Sequence, residues 1–272
     1  MVMGELVKYP RTRHLEGSRL GPGDEDLSQV PFSQIAGREI VVEEKCDGAN
    51  SAISFGDDGG LLVQSRGHYL TGGAREKHFN LLKQWASVHR DDFYRALGRR
   101  YIMYGEWMYA KHTVFYDRLP HYFLEFDVFD RQRGIFLSTP SRRELLAGLP
   151  VVPVPVLKIA SFASLPELTD LIGHSLFIAD GHLQRLRDHC LKSGLDPQRC
   201  CAETDPTGLM EGLYIKVERD GLVVDRLKFV RASFLQTVVQ SDSHWLTRPI
   251  VPNQLAYPLD GIFAPTLPEE VA

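Results

Sequence analysis

The string Val41-Val42-Glu43-Glu44-Lys45-Cys46-Asp47-Gly48 places a lysine at the end of a β-branched run and immediately ahead of an Asp-Gly turn. A strand of this kind delivers Lys45 to the edge of a pocket, and Gly48 lets the backbone turn where a Cβ would obstruct. A lysine that is buried or set beside other cations loses its proton more readily and can then act as a nucleophile. The competing reading is a surface lysine ahead of a hairpin, and Lys-x-Asp-Gly alone does not separate the two. Strand alternation puts Glu43 on the face of Lys45 and Glu44 on the other. A carboxylate facing the amine would hold its proton in place, so Glu43 is expected to pair with a different cation.

Further strings follow in order. Ser65-Arg66-Gly67 ends a strand at a glycine and presents an arginine at the sheet rim. Tyr104-Gly105-Glu106 sets a carboxylate in an apolar strand, and Glu125-Phe126-Asp127-Val128-Phe129 sets an aromatic beside acids. Glu211-Gly212-Leu213-Tyr214-Ile215-Lys216 and Arg226-Leu227-Lys228-Phe229-Val230-Arg231 complete the set one hairpin apart. Singly, Glu106 reads as a half-exposed strand residue, Phe126 as core and Lys228 as a rim lysine. Together they supply what adenylyl transfer needs: a lysine nucleophile, an aromatic face for a purine, carboxylates for a divalent metal and cations for the α-phosphate.

These residues require strands to carry them. Between residues 38 and 66 the pattern is strand, turn, strand, turn, strand, with Asp57-Asp58-Gly59-Gly60 joining residues 51–55 to 61–65 as a hairpin. Residues 74–97 show helical periodicity, with Phe79, Leu82, Trp85, Val88 and Leu97 on core positions. Strands are expected over 101–109 and 121–129, separated by a loop over 111–120. A helix is expected from Thr139, with Thr139 as N-cap and Pro140 in the first turn. Residues 151–159, rich in valine and proline, suit an edge or connecting strand. Helices over 164–172 and 180–193 follow, then a hairpin turned at Asp220-Gly221 and a short helix over 233–240. The first 38 residues, rich in Gly, Pro and Arg, read as irregular chain lying across the body. Arg11, Arg13 and Arg19 there are most simply solvated loop arginines. The layout is α+β, antiparallel sheets with interspersed helices.

Of 272 residues, 43% are hydrophobic and 24% charged, enough for one large core. A net charge of −4 gives no global signal for nucleic acid and leaves only a local basic groove. The four cysteines form no C-x-x-C pair and no zinc spacing, which points to a reducing compartment. No apolar run has the length of a signal or a membrane span, so the expectation is a cytoplasmic protein without a membrane partner.

The ordered strings resemble those of the covalent nucleotidyltransferase superfamily, the ATP-dependent DNA and RNA ligases and mRNA capping enzymes, and most of all its RNA-ligase branch. The resemblance runs from residue 45 to about 231. It implies an ATP-grasp-like nucleotidyltransferase domain with antiparallel sheets flanking a nucleotide cleft, over residues 1–240, followed by a short tail over 241–272. It also implies roles. Lys45 attacks the α-phosphorus of ATP to give lysyl-AMP, with Asp47 and Gly48 completing its motif. Arg66 lies near the ribose and the incoming 5′-phosphate, Glu106 holds ribose or metal, and Phe126 stacks on adenine. Glu211 serves Mg²⁺ or Mn²⁺, Lys228 contacts the α-phosphate, and Lys216 and Arg226 join the nucleotide contacts. The substrate implied is RNA with 5′-phosphate and 3′-hydroxyl ends, in repair alongside a separate end-healing kinase or phosphatase. Two departures stand out. Where many ligases have Lys-x-Lys this chain reads Arg226-Leu227-Lys228, which favours Lys228 over Arg226. The stretch after Arg231 is also too short for an OB-fold domain, which disfavours a capping enzyme. A minimal ATP-dependent DNA ligase and a non-catalytic nucleic-acid or nucleotide-binding protein of the same fold remain as alternatives; the joint presence of Lys45, Glu106, Glu211 and Lys228 argues against the second. His68 and His112 border the strings as weaker phosphate candidates. Cys46 is expected to point away from the nucleotide, and Trp245 and Tyr257 to pack on the body.

Overall fold

Short hairpins and long-range strand pairings organise the chain. A computed structural model describes residues 5–21, 24, 26–234, 237 and 248–266. Its strands are β1 (Arg13–Leu15), β2 (Gln29–Val30), β3 (Glu39–Lys45), β4 (Ala49–Phe55), β5 (Leu61–Ser65), β6 (Tyr101–Trp107), β7 (Phe123–Asp130), β8 (Ile135–Leu137), β9 (Val152–Pro153), β10 (Val156–Ser161), β11 (Gly212–Arg219) and β12 (Leu222–Val230). The helices are α1 (Asn80–Val88), α2 (Arg90–Leu97), α3 (Thr139–Leu145), α4 (Leu165–Thr169), α5 (His182–Lys192) and α6 (Pro197–Ala202).

The main strand path runs β10-β3-β11-β12-β8-β7-β6-β4-β5, with every neighbouring pair antiparallel. Parallel additions are β1 on β12, β2 on β1 and β9 on β7. The β11–β12 hairpin turns where Asp220 and Gly221 both take positive φ, as a two-residue hairpin loop demands. Short β8 joins two wings, β3-β11-β12 and β7-β6-β4. Each wing has its own core. Phe55, Trp85, Phe93, Trp107 and Phe123 pack where α1 and α2 cover the second wing. Leu15, Val42, Leu213, Ile215 and Leu227 pack behind the first. Among the described residues no helix is long and apolar enough to cross a membrane.

Several expectations are revised. Residues 74–97 are a 3₁₀ turn (Ala74–Phe79) followed by α1 and α2, broken at His89, and Val88 is 60% exposed rather than in the core. Ser138, not Thr139, caps α3; Thr139 instead donates backbone and side-chain hydrogen bonds to Glu218. The N-terminal segment contributes β1 and β2, because its few apolar residues (Leu15, Val30) reach a core supplied by distant strands. Residues 232–234 begin a helix; most of the expected 233–240 helix, and Trp245, lie outside the described residues. Tyr257 packs against the core of the second wing.

Candidate active site

Strand register brings Lys45 and Glu211 together. Lys45, the last residue of β3, pairs with Gly212 at the start of β11, so residue 211 emerges beside it at the same sheet end. Gly212 is required there: a Cβ would lie 1.9 Å from the Phe229 carbonyl oxygen. The Lys45 Nζ lies 2.7 Å from Glu211 Oε2.

A β-bulge shapes the opposite wall. In the β6–β7 ladder Tyr104 pairs with Asp127 and Gly105 with Glu125, which leaves Phe126 as the extra residue. Bulges of this kind re-aim a side chain, and Phe126 is half-buried on the wall of the cleft. Gly105 makes the bend possible, since a Cβ would sit 2.4 Å from the Phe123 ring. Glu106 follows it into the cleft, opposite Asn50 of β4. The Gly48 backbone also bonds the Glu106 carboxylate. Gly48 has no room for a side chain, with Met108 Sδ, the Trp107 carbonyl and Glu106 Cγ at 2.7, 2.8 and 2.9 Å from a Cβ position.

The cleft between the wings has a volume of about 1370 Å³. Its walls carry Lys45, Gly48, Glu106, Phe126 and Lys228, with exposed Arg66 and His68 at the rim. Burial pushes the Glu106 carboxyl up to about 8, with repulsion from Glu211 and Asp47 adding to it. Glu211 rises to about 7 by burial, against the pull of Lys45. Burial draws the Lys45 ammonium down, but Glu211, Glu106 and Asp47 outweigh it and its pKa lies above the ordinary value. In the ligand-free chain the carboxylates therefore hold the Lys45 proton.

Other residues singled out in the sequence are engaged differently. Asp47 Oδ2 accepts the backbone N–H groups of Thr113 and Val114 at 2.7 and 2.8 Å, so it braces the loop over residues 111–116 rather than facing the cleft. His112 sits 3.8 Å from its other oxygen. Cys46 is buried, its thiol 4.0 Å from the Glu44 carbonyl. Lys216 and Arg226 are removed from the cleft wall, which corrects their reading as nucleotide contacts. Lys216 lies 2.9 Å from Glu43 and 3.0 Å from Asp127, and donates to the Phe126 carbonyl. Arg142 bridges Glu43 and Glu125, and Arg226 reaches Asp127 at 3.4 Å while lying 3.8 Å from the Phe136 ring centroid. Glu43 thus pairs with cations other than Lys45, as expected. Three acids and three bases balance inside the sheet, directly behind the bulge that carries Phe126.

Residues with no sequence signal complete the walls. Tyr9 donates to Asp127 at 2.5 Å, meets the Tyr214 hydroxyl at 2.5 Å and packs edge-on to Phe126 at 5.1 Å. Thr12 lies 3.0 Å from the Tyr214 hydroxyl, and Arg248 joins the rim from the C-terminal side. In the N-terminal segment, Arg11 pairs with Asp24 and Asp26, and Arg13 with Asp225.

The fold is shared with solved RNA ligases. The chain superposes on a mutant of a Naegleria gruberi RNA ligase with ATP and Mn at a TM-score of 0.52 and 18% identity, covering 85% of this chain and 58% of that one. For an archaeal ATP-dependent RNA ligase the values are 0.51 and 16%, covering 84% and 49%. The chain thus spans roughly half of the length of these proteins. A search of curated proteins finds no significant match. A family model described as RNA ligase matches residues 38–230, most of the sequence, and the chain belongs to the RNA ligase family.

Proposed function

We propose that this chain is the nucleotidyltransferase unit of an ATP-dependent RNA ligase, of ATP-grasp-like fold over residues 1–240, sealing 5′-phosphate and 3′-hydroxyl RNA ends. The observation that carries the reading is Lys45 on the wall of a cleft that also holds Glu106, Phe126 and Lys228, with Glu211 2.7 Å from its amine. Phe126 offers a face to adenine, and the related Naegleria gruberi RNA ligase structures include complexes with ATP or AMP and Mn. In the first step the Lys45 Nζ proton is lost to solvent once a cation engages Glu106 and Glu211, the carboxylates that otherwise hold it. The amine attacks the α-phosphorus of ATP, an N–P bond forms, the bond to the bridging oxygen breaks and pyrophosphate leaves. Lys228 neutralises charge at the α-phosphate. The 5′-phosphate of the RNA then displaces Lys45 and takes the AMP, and the 3′-hydroxyl finally displaces AMP.

The donor set fits a divalent metal. Glu106 and Glu211 are hard oxygen ligands whose mutual repulsion a cation would relieve. Among the described residues no group of three metal-binding side chains exists, so phosphate oxygens would supply the remaining ligands, as is usual for Mg²⁺. When bound, the ion polarises the phosphates. A separate end-healing kinase or phosphatase would supply the ends in RNA repair.

The test is incubation with α-³²P-labelled ATP and Mg²⁺ or Mn²⁺, followed by a denaturing gel and acid treatment. Wild type is expected to carry an acid-labile label that Lys45→Ala lacks. RNA and DNA nicks are then compared, with sealing expected for RNA. Absence of label from a wild type shown to be free of pre-bound AMP overturns the reading.

A further inference from the structure

Lys228 stands on the cleft wall, yet the group that holds it comes from outside the region matched to the RNA ligase family. Strand β1 runs parallel to β12 with His14 opposite Lys228. Asp24 Oδ2 accepts a hydrogen bond from Lys228 Nζ and lies 3.1 Å from His14 Nε2, while its other oxygen accepts from Arg11 at 3.2 Å. The arm is pinned to β12 just beyond the lysine. His14 Nδ1 sits 2.7 Å from Ser18 Oγ, Ser18 Oγ accepts the Val230 N–H at 2.9 Å, and the Arg19 N–H donates to the Val230 carbonyl at 3.1 Å.

Lys228 lines the cleft, and Asp24 belongs to the N-terminal segment beside it. The carboxylate reaches the ammonium from the N-terminal segment, whose strand β1 lies alongside β12. An ammonium has three donors, so one committed to Asp24 leaves two for a ligand on the cleft side. A lysine is a point charge on a flexible four-carbon stem, and aiming it requires such an anchor. We propose that Asp24 is a positioning residue for Lys228, holding its ammonium charged and directed at the α-phosphate of the nucleotide. The inference rests on the function proposed above. Burial and the neighbouring Lys45 both pull the Lys228 proton off, and Asp24 opposes them. Because Asp24 is fixed by His14 and Arg11 as well, nucleotide entry need not displace it.

The experiment measures lysyl-AMP formation against ATP concentration in wild type, Asp24→Ala and Asp24→Asn, with thermal melts of all three. Charge on the α-phosphate oxygens is met by Lys228 most strongly at the transition state, so the loss is expected in kcat. Both variants should form lysyl-AMP roughly tenfold or more slowly at saturating ATP, with KM for ATP changed less than about threefold. Cooperative melts near that of wild type exclude collapse of the site. If Asp24→Ala does not melt cooperatively, the isosteric Asp24→Asn decides. An unchanged kcat, or a loss confined to KM, in a variant of a wild type that does form lysyl-AMP overturns this inference alone. A wild type that takes no label overturns the function itself and this inference with it.

Discussion

Lys45 is protonated in the ligand-free chain, because three carboxylates surround it and outweigh its burial. Under the function proposed above, its amine would be freed once nucleotide and cation engage those carboxylates. Gly48 controls the spacing of this group. A methyl there would strike Met108 Sδ, the Trp107 carbonyl and Glu106 Cγ, and the carbonyl belongs to a strand that cannot move cheaply. Gly48→Ala is therefore expected to cost about 1–3 kcal/mol in urea unfolding. It should also slow lysyl-AMP formation by displacing Glu106. Normal stability together with normal labelling would show that the turn has slack the geometry does not reveal.

At the scale of elements, the charge network behind β7 holds the Phe126 bulge, since Lys216 donates to the Phe126 carbonyl and pairs with Glu43 of β3 and with Asp127. Arg142 is the bridge between Glu43 and Glu125 and is wholly buried. Arg142→Met leaves both carboxylates short of a partner and is expected to destabilise the protein by about 3–5 kcal/mol. Denaturant melts at pH 7 check this, and a loss below about 1 kcal/mol would mean that the network relaxes around the gap. The same elements show what the sequence disclosed. Lys45, Glu106, Phe126, Glu211 and Lys228 stand out in the sequence as candidates because their types carry chemistry and their strands are marked by turns and β-branched runs. Lys216 and Arg226 were misassigned because alternation fixes a residue's face but not what lies over it. Lys216 shares the Tyr214 face of β11, and only its position beneath β7 seals it from the cleft. The bulge at Phe126 is likewise a property of the pairing rather than of either strand. The Arg13–Leu15 strand was invisible because its partner is more than 200 residues away in β12.

The whole molecule is closed by segments outside the family-matched span, and these place a histidine where protons cannot easily follow. Residues 248–263 cross the second wing: Asn253 bonds the Met108 carbonyl through its side chain at 2.6 Å and accepts the Tyr116 N–H at 3.0 Å, and Ile262 is buried over α1. Under this cover His121 is 1% exposed, its ring 4.8 Å from that of Trp85, with Nδ1 accepting the Phe123 N–H at 2.9 Å. Burial, with a smaller push from His89, takes its pKa down to about 4. In the unfolded chain the imidazole titrates near 6.5. Between those values the unfolded state binds the proton and the folded state does not, so this contribution to stability is full above about 6.5 and is lost as pH falls toward 4. Urea unfolding at pH 7 and pH 5 should show His121→Gln losing about 2 kcal/mol less than wild type over that interval. His14, His89, His182 and His189 are also shifted down and contribute to the acid loss of both proteins, which is why the difference is the informative quantity. Equal losses in the two proteins would assign the acid sensitivity to those histidines and leave the packing of the C-terminal segment over the second wing without a part in it.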